Sequence, residues 1–257
     1  MSRVRRVTLF LLPVVVVAAL VVPSVASATH SWGGYHWART NNPFTLKLGD
    51  NVSSGWDPYL ATTSRDWSAS SVLDTTVVAG ATNPKSCRAT SGRVEVCNAA
   101  YGGTGWLGLA QIWISGSHIT QGTVKVNDTY FNTTAYNTPA WRNFVMCQEV
   151  GHTLGLDHQD ENFSNANLGT CMDYTSIPTS NQHPNQHDYD QLASIYAHLD
   201  STTTLNSVTG PGAGANFETP GEWGRRVSGS EDPHSVAVYE RDLGANQRII
   251  TFVIWAG

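Results

Sequence analysis

Residues Phe44-Thr45-Leu46-Lys47-Leu48 alternate apolar with polar positions, the period of a strand with one face in a core. Comparable short strands are predicted at 75–78, 92–97, 106–114 and 122–126, with Gly116 and Ser117 linking the last two. Between the strands at 44–48 and 75–78, Tyr59, Leu60, Trp67 and Val72 stand among Ala and Ser over 58–73, which predicts a helix. A second helix opens at Thr138-Pro139, a capping residue followed by proline at the first helical position. Within it, Phe144, Gln148 and His152 recur at intervals of four and form one stripe. Gly151 costs this helix some propensity but permits close packing, and Gly155 can take the left-handed backbone that ends a helix. The chain then reverses and brings His158 back toward His152. A turn is predicted at 169–174, and Leu192, Ile195 and Tyr196 fall at helical spacing in a final core helix over 188–196. Strands mixed with a few helices predict an α+β fold.

The ends of the chain read differently. Arg3, Arg5 and Arg6 precede an apolar run from Leu9 to Val22, and Ala26-Ser27-Ala28 resembles a cleavage site, so 1–28 reads as an export signal. The run is short for a membrane span and is interrupted by Pro13. Residues 29–200 form the expected main domain, and the Ser/Thr/Gly/Ala-rich stretch 201–216 a linker. Residues 217–257 form a C-terminal extension with two strands, 236–241 and 248–255, around Gly244-Ala245-Asn246. Two strands alone are marginally stable, so this hairpin either packs on the main domain or serves as a partner-binding element.

Composition narrows the function classes. With a net charge of −5 and 14% charged residues, nothing points to nucleic acid or to stable membrane association after signal cleavage. Four cysteines, Cys87, Cys97, Cys147 and Cys171, fit an oxidising compartment, two disulfide bonds and a secreted, extracellular protein. Their positions in sequence permit three pairings.

The chemistry is concentrated in Cys147-Gln148-Glu149-Val150-Gly151-His152-Thr153-Leu154-Gly155-Leu156-Asp157-His158. Glu149, His152, Gly155 and His158, followed by Met172 and Tyr174, resemble the signature of the metzincin zinc peptidases, whose helix and Met-turn frame a metal. Leu107-Gly108-Leu109-Ala110 is similar to the edge strand along the cleft of the matrixin-like branch, and 188–196 to its closing helix. The resemblance covers about Trp37 to His198 and leaves out the chain from Thr202 onward. Gln148 stands in place of the first zinc-binding histidine.

The resemblance implies a twisted mixed sheet with an active-site helix, a Met-turn and a C-terminal helix, to which the C-terminal β-hairpin is added. It implies a secreted zinc metalloendopeptidase that cleaves a protein or peptide substrate. Zn²⁺ would be held by His152, His158 and Gln148, and Glu149 would assist attack by zinc-bound water. Tyr174 would hydrogen-bond the oxyanion, and Met172 would form an apolar floor. A neutral amide oxygen is a weaker donor than imidazole, so three outcomes stay open: this ligand set, a set completed by His183 or His187, or a scaffold without metal. The last corresponds to a catalytically impaired or inactive metzincin-like secreted binding protein. Cys147 precedes Gln148, and Cys171 precedes Met172, so a Cys147–Cys171 bond would tie the helix to the turn beneath the metal; Cys87 then pairs with Cys97 across a local loop. Cys147 lies off the Gln148–His152 face and is not a replacement ligand. An edge strand beside the cleft would pair with an extended substrate.

Overall fold

The computed structural model describes residues 30–205 and 217–257; the expected signal and most of the expected linker lie outside them. The fold is α+β. Strands β1 (His36–Trp37), β2 (Phe44–Asn51), β3 (Leu73–Ala79), β4 (Val94–Ala99), β5 (Trp106–Ser115), β6 (His118–Asn127), β7 (Arg225–Gly229), β8 (Val236–Gly244) and β9 (Gln247–Trp255) form one nine-stranded sheet. Its order is β3-β2-β4-β6-β5-β9-β8-β7, with β1 paired to the start of β6. The half from β3 to β6 is parallel, and the half from β6 to β7 is antiparallel. Among the described residues no helix is long and apolar enough to cross a membrane.

Four α-helices accompany the sheet: α1 (Asp57–Trp67), α2 (Asp128–Phe131), α3 (Pro139–Thr153) and α4 (Gln186–Ile195). Helix α3 starts as its sequence predicts, since the Thr138 hydroxyl accepts the Trp141 N–H at 3.3 Å and Pro139 follows the cap. From Phe144 to Thr153 every residue of α3 is buried. One face lies on the sheet, and the other meets Trp67 of α1, whose indole N–H donates to the Cys147 carbonyl. Gly151 is required there: a Cβ at this position would stand 2.6 Å from Met172 Sδ and 2.8 Å from the Trp67 ring. Gly155, at φ +96°, ends the helix with its α-carbon turned so that a Cβ would strike the Tyr35 carbonyl oxygen. Helix α4 carries a capping box between Asn185 and Asp188.

Both expected disulfides are present, Cys87–Cys97 and Cys147–Cys171, each with α-carbons 5.9 Å apart. Helix α1 stops at Trp67, short of the predicted end, because Ser68 hydroxyl and Thr75 backbone bond each other and turn the chain into β3.

The largest departure concerns β5. It was expected at an edge, open to substrate, but it is paired on both sides, with β6 and with β9. The physical reason lies in β9 itself. Ile250, Phe252 and Ile254 face the core beneath α3, while Val253 and Trp255 join Trp106, Leu109 and Trp223 on the opposite face. A strand apolar on both faces gains most when both are covered. The C-terminal hairpin therefore forms as predicted but, with β7 added, continues the main sheet.

Candidate functional site

Helix α3 sets Gln148, Glu149 and His152 at the sheet's surface, and the reversal at Gly155 returns His158 to them. The His152 and His158 rings meet edge to face with centroids 4.4 Å apart. The reversal is held from outside the helix: Asp157 N–H donates to the His30 carbonyl at 2.7 Å, and Tyr196 hydroxyl donates to the Leu154 carbonyl at 2.9 Å. The turn carrying Met172 is held similarly, since Gln159 N–H donates to the Met172 carbonyl and Tyr174 N–H to the Asp160 carbonyl. Met172 is fully buried against the Gly151 side of α3.

The histidines are oriented by their Nδ1 atoms. His152 Nδ1 lies 3.0 Å from the Leu156 carbonyl oxygen, an acceptor, so Nδ1 carries the proton and Nε2 the lone pair. His158 Nδ1 lies 2.9 Å from Tyr174 hydroxyl and 3.2 Å from Asp157 Oδ1. Partners of this kind fix the tautomer that leaves Nε2 free to ligate a metal.

What faces inward is unpartnered. Both Nε2 atoms, both amide atoms of Gln148 and both carboxylate oxygens of Glu149 are buried with no hydrogen-bond partner. Leaving a buried polar group unsatisfied costs about 1–3 kcal/mol, more when charged. Unpartnered atoms on two adjacent imidazoles and on the neighbouring Gln148 and Glu149 suit a bound cation and water. The donor set, two imidazoles and an amide oxygen, fits Zn²⁺.

Burial pushes the Glu149 carboxyl well above the usual carboxylate range. Burial, reinforced by His158, holds the His152 imidazole well below its usual value, in the neutral form that binds metal. For Asp157, burial acts upward, yet hydrogen bonds and charge attraction from His158 bring the net shift below the ordinary value. Burial raises the Tyr174 phenol well above its usual value, so its hydroxyl stays protonated.

Room for Glu149 comes from Gly108 of β5, where a Cβ would stand 2.6 Å from Glu149 Oε1. The β5 segment thus borders the site as expected although it is not an edge. Two residues with no predicted role are part of the site. Asp157 supports His158, and Phe252 of β9 stacks on His152 with centroids 4.1 Å apart and planes 4° from parallel. Position 157 lay within the motif, and its carboxylate beside a ligand was the available signal. Phe252 had none, because the apolar run of β9 does not say what either face of the strand meets. A small apolar cavity between Gln148, Leu107 and Tyr174 is closed by Val236, Ile254 and Trp255 of the C-terminal strands. His183 and His187 are engaged elsewhere: His183 Nδ1 lies 2.6 Å from Asp66 Oδ2, and His187 stacks on His30.

No family model matches this sequence, and no curated protein matches it. Two solved structures are similar in part. One is high choriolytic enzyme 1, a hatching enzyme zinc-protease from the medaka fish Oryzias latipes, at 10% identity over 63% of this chain and 94% of that one, with a TM-score of 0.35. The other is myroilysin, at 13% identity over 68% of this chain and 97% of that one, with a TM-score of 0.32. At these scores neither likeness bears on function.

Proposed function

We propose that this chain is a secreted zinc metalloendopeptidase in which Gln148, His152 and His158 hold the ion. The observation that carries the reading is the set of six buried, unpartnered polar atoms presented by Gln148, Glu149, His152 and His158. When bound, Zn²⁺ supplies Lewis acidity toward a peptide carbonyl and acidifies a water. Glu149 would accept the proton of that water and pass it to the departing amine. Tyr174 hydroxyl accepts the His158 Nδ1–H and keeps its own hydrogen for the oxyanion of the tetrahedral intermediate. Asp157 holds the His158 ring in place. Met172 and Phe252 enclose the imidazoles in apolar surface.

A second reading has its own support. With β9 on the β5 edge and Phe252 on His152, an extended peptide has no strand edge to join at this site. That cover fits a secreted binding protein that keeps the cleft residues without turnover. Zinc titration with casein cleavage separates the two. The peptidase reading expects Glu149→Ala to retain zinc and lose at least about 100-fold in cleavage rate. A parent chain that leaves casein intact at saturating zinc, with the ion bound, favours the binding protein. A chain in which Gln148→Ala binds zinc and cleaves as well as the parent removes Gln148 from the ligand set.

A further inference from the structure

On the side of the molecule where β1 meets β6, four side chains converge that take no part in the site above. His36 comes from β1, His118 from the first position of β6, and His198 and Asp200 from the chain just after α4. Asp200 Oδ1 lies 3.1 Å from His118 Nε2, 3.6 Å from His36 Nε2 and 3.8 Å from His198 Nε2. His36 and His198 bring their Nε2 atoms within 3.1 Å of each other. A tetrahedral zinc with bonds of 2.0–2.2 Å separates its ligand atoms by about 3.3–3.6 Å, which the three distances among His36, His198 and Asp200 bracket.

The outer contacts have the form expected around a metal. His36 Nδ1 lies 2.9 Å from the Gly34 carbonyl oxygen, so that nitrogen holds the proton and Nε2 presents its lone pair to the cluster. Arg39 occupies the other oxygen of Asp200, with its guanidinium Nη1 donating to Oδ2 at 2.8 Å, and bonds the His198 carbonyl as well. Oδ1 is left for the three imidazoles. His36 is buried, Asp200 nearly so, and His118 and His198 reach in from the surface, which gives an ion a path of entry.

We propose that His36, His198 and Asp200 form a second divalent-cation site, of zinc type, whose function is structural, with His118 bonded to Asp200 beside it. It would join two segments remote in sequence, at 36 and 198–200, and fix the point where the chain leaves α4.

The test counts zinc per chain, by atomic emission after equilibrium dialysis, for the full chain and for His198→Ala, whose side chain is more than half exposed. The count falls by one in the variant, from two to one if the first site also binds, or from one to none if it does not. The two sites therefore succeed or fail separately. Melting gives the second readout: with zinc at about 100 times its dissociation constant, the parent gains roughly 5–10 °C more than the variant, and in EDTA the two melt together. His198→Leu gives the same loss if His198→Ala fails to fold. Equal zinc counts in parent and variants overturn the proposal and leave the cluster a hydrogen-bonded one.

Discussion

At position 148 a single side chain would set the character of the proposed metal site. Gln148 is fully buried, and neither of its amide atoms has a protein partner, which leaves its oxygen free to coordinate. Gln148→His exchanges an amide oxygen for an imidazole nitrogen at similar reach and equal charge, and zinc titration should read roughly tenfold tighter binding or better. Asp157 acts through His158. Asp157→Ala should weaken zinc binding about 10–100-fold while the fold persists, as circular dichroism checks. That His152 and His158 would meet was legible from spacing alone, because a helix and its terminating glycine bring them together whatever surrounds them. Phe252 was not legible, because it reaches the site through a strand pairing across 142 residues of sequence, with Ala110 as its register partner.

Among the elements, α3 is the most constrained. It is clamped between the sheet, α1 and the Met172 turn, and the disulfide from Cys147 to Cys171 fixes it to that turn. Gly151→Ala would put a methyl group into Met172 and Trp67, and denaturant unfolding should show a loss of about 1–3 kcal/mol from overpacking. Removing the Cys147–Cys171 bond by paired substitution to serine frees a loop of sequence separation 24, and about 3–4 kcal/mol should be lost by the same measurement. Strand and helix existence followed the hydrophobic period closely for α3, α4, β2 and β5. Helix α2 and strand β7 were missed for a common reason: each is short, and each is held by contacts outside itself. Trp56 and Asn98 bond Asp128 at the start of α2, and β7 exists through its pairing with β8.

Taken whole, the molecule is organised by its C-terminal strands as much as by its motif. Because β9 fills the sheet beside β5, hydrogen exchange over 247–255 should be as slow as over 106–115, whereas a detached hairpin would exchange far faster. Phe252→Ala removes the ring that covers His152; it should cost about 3–5 kcal/mol of stability and, if the site is a peptidase, raise the cleavage rate of a short peptide by opening the site. The amino-acid sequence by itself determined the mix of strands and helices, the α3 cap and the reversal that sets His158 beside His152, because these depend on contacts within a few turns of chain. It also carried, in the apolar run of β9 interrupted only by Thr251, the signal of a strand buried on both faces. Which strand β9 would join, that the substrate edge would be covered, and that His36, His118, His198 and Asp200 would meet were decided only by the tertiary structure. Each depends on register between segments separated by some 80 residues or more, and no local periodicity encodes that register.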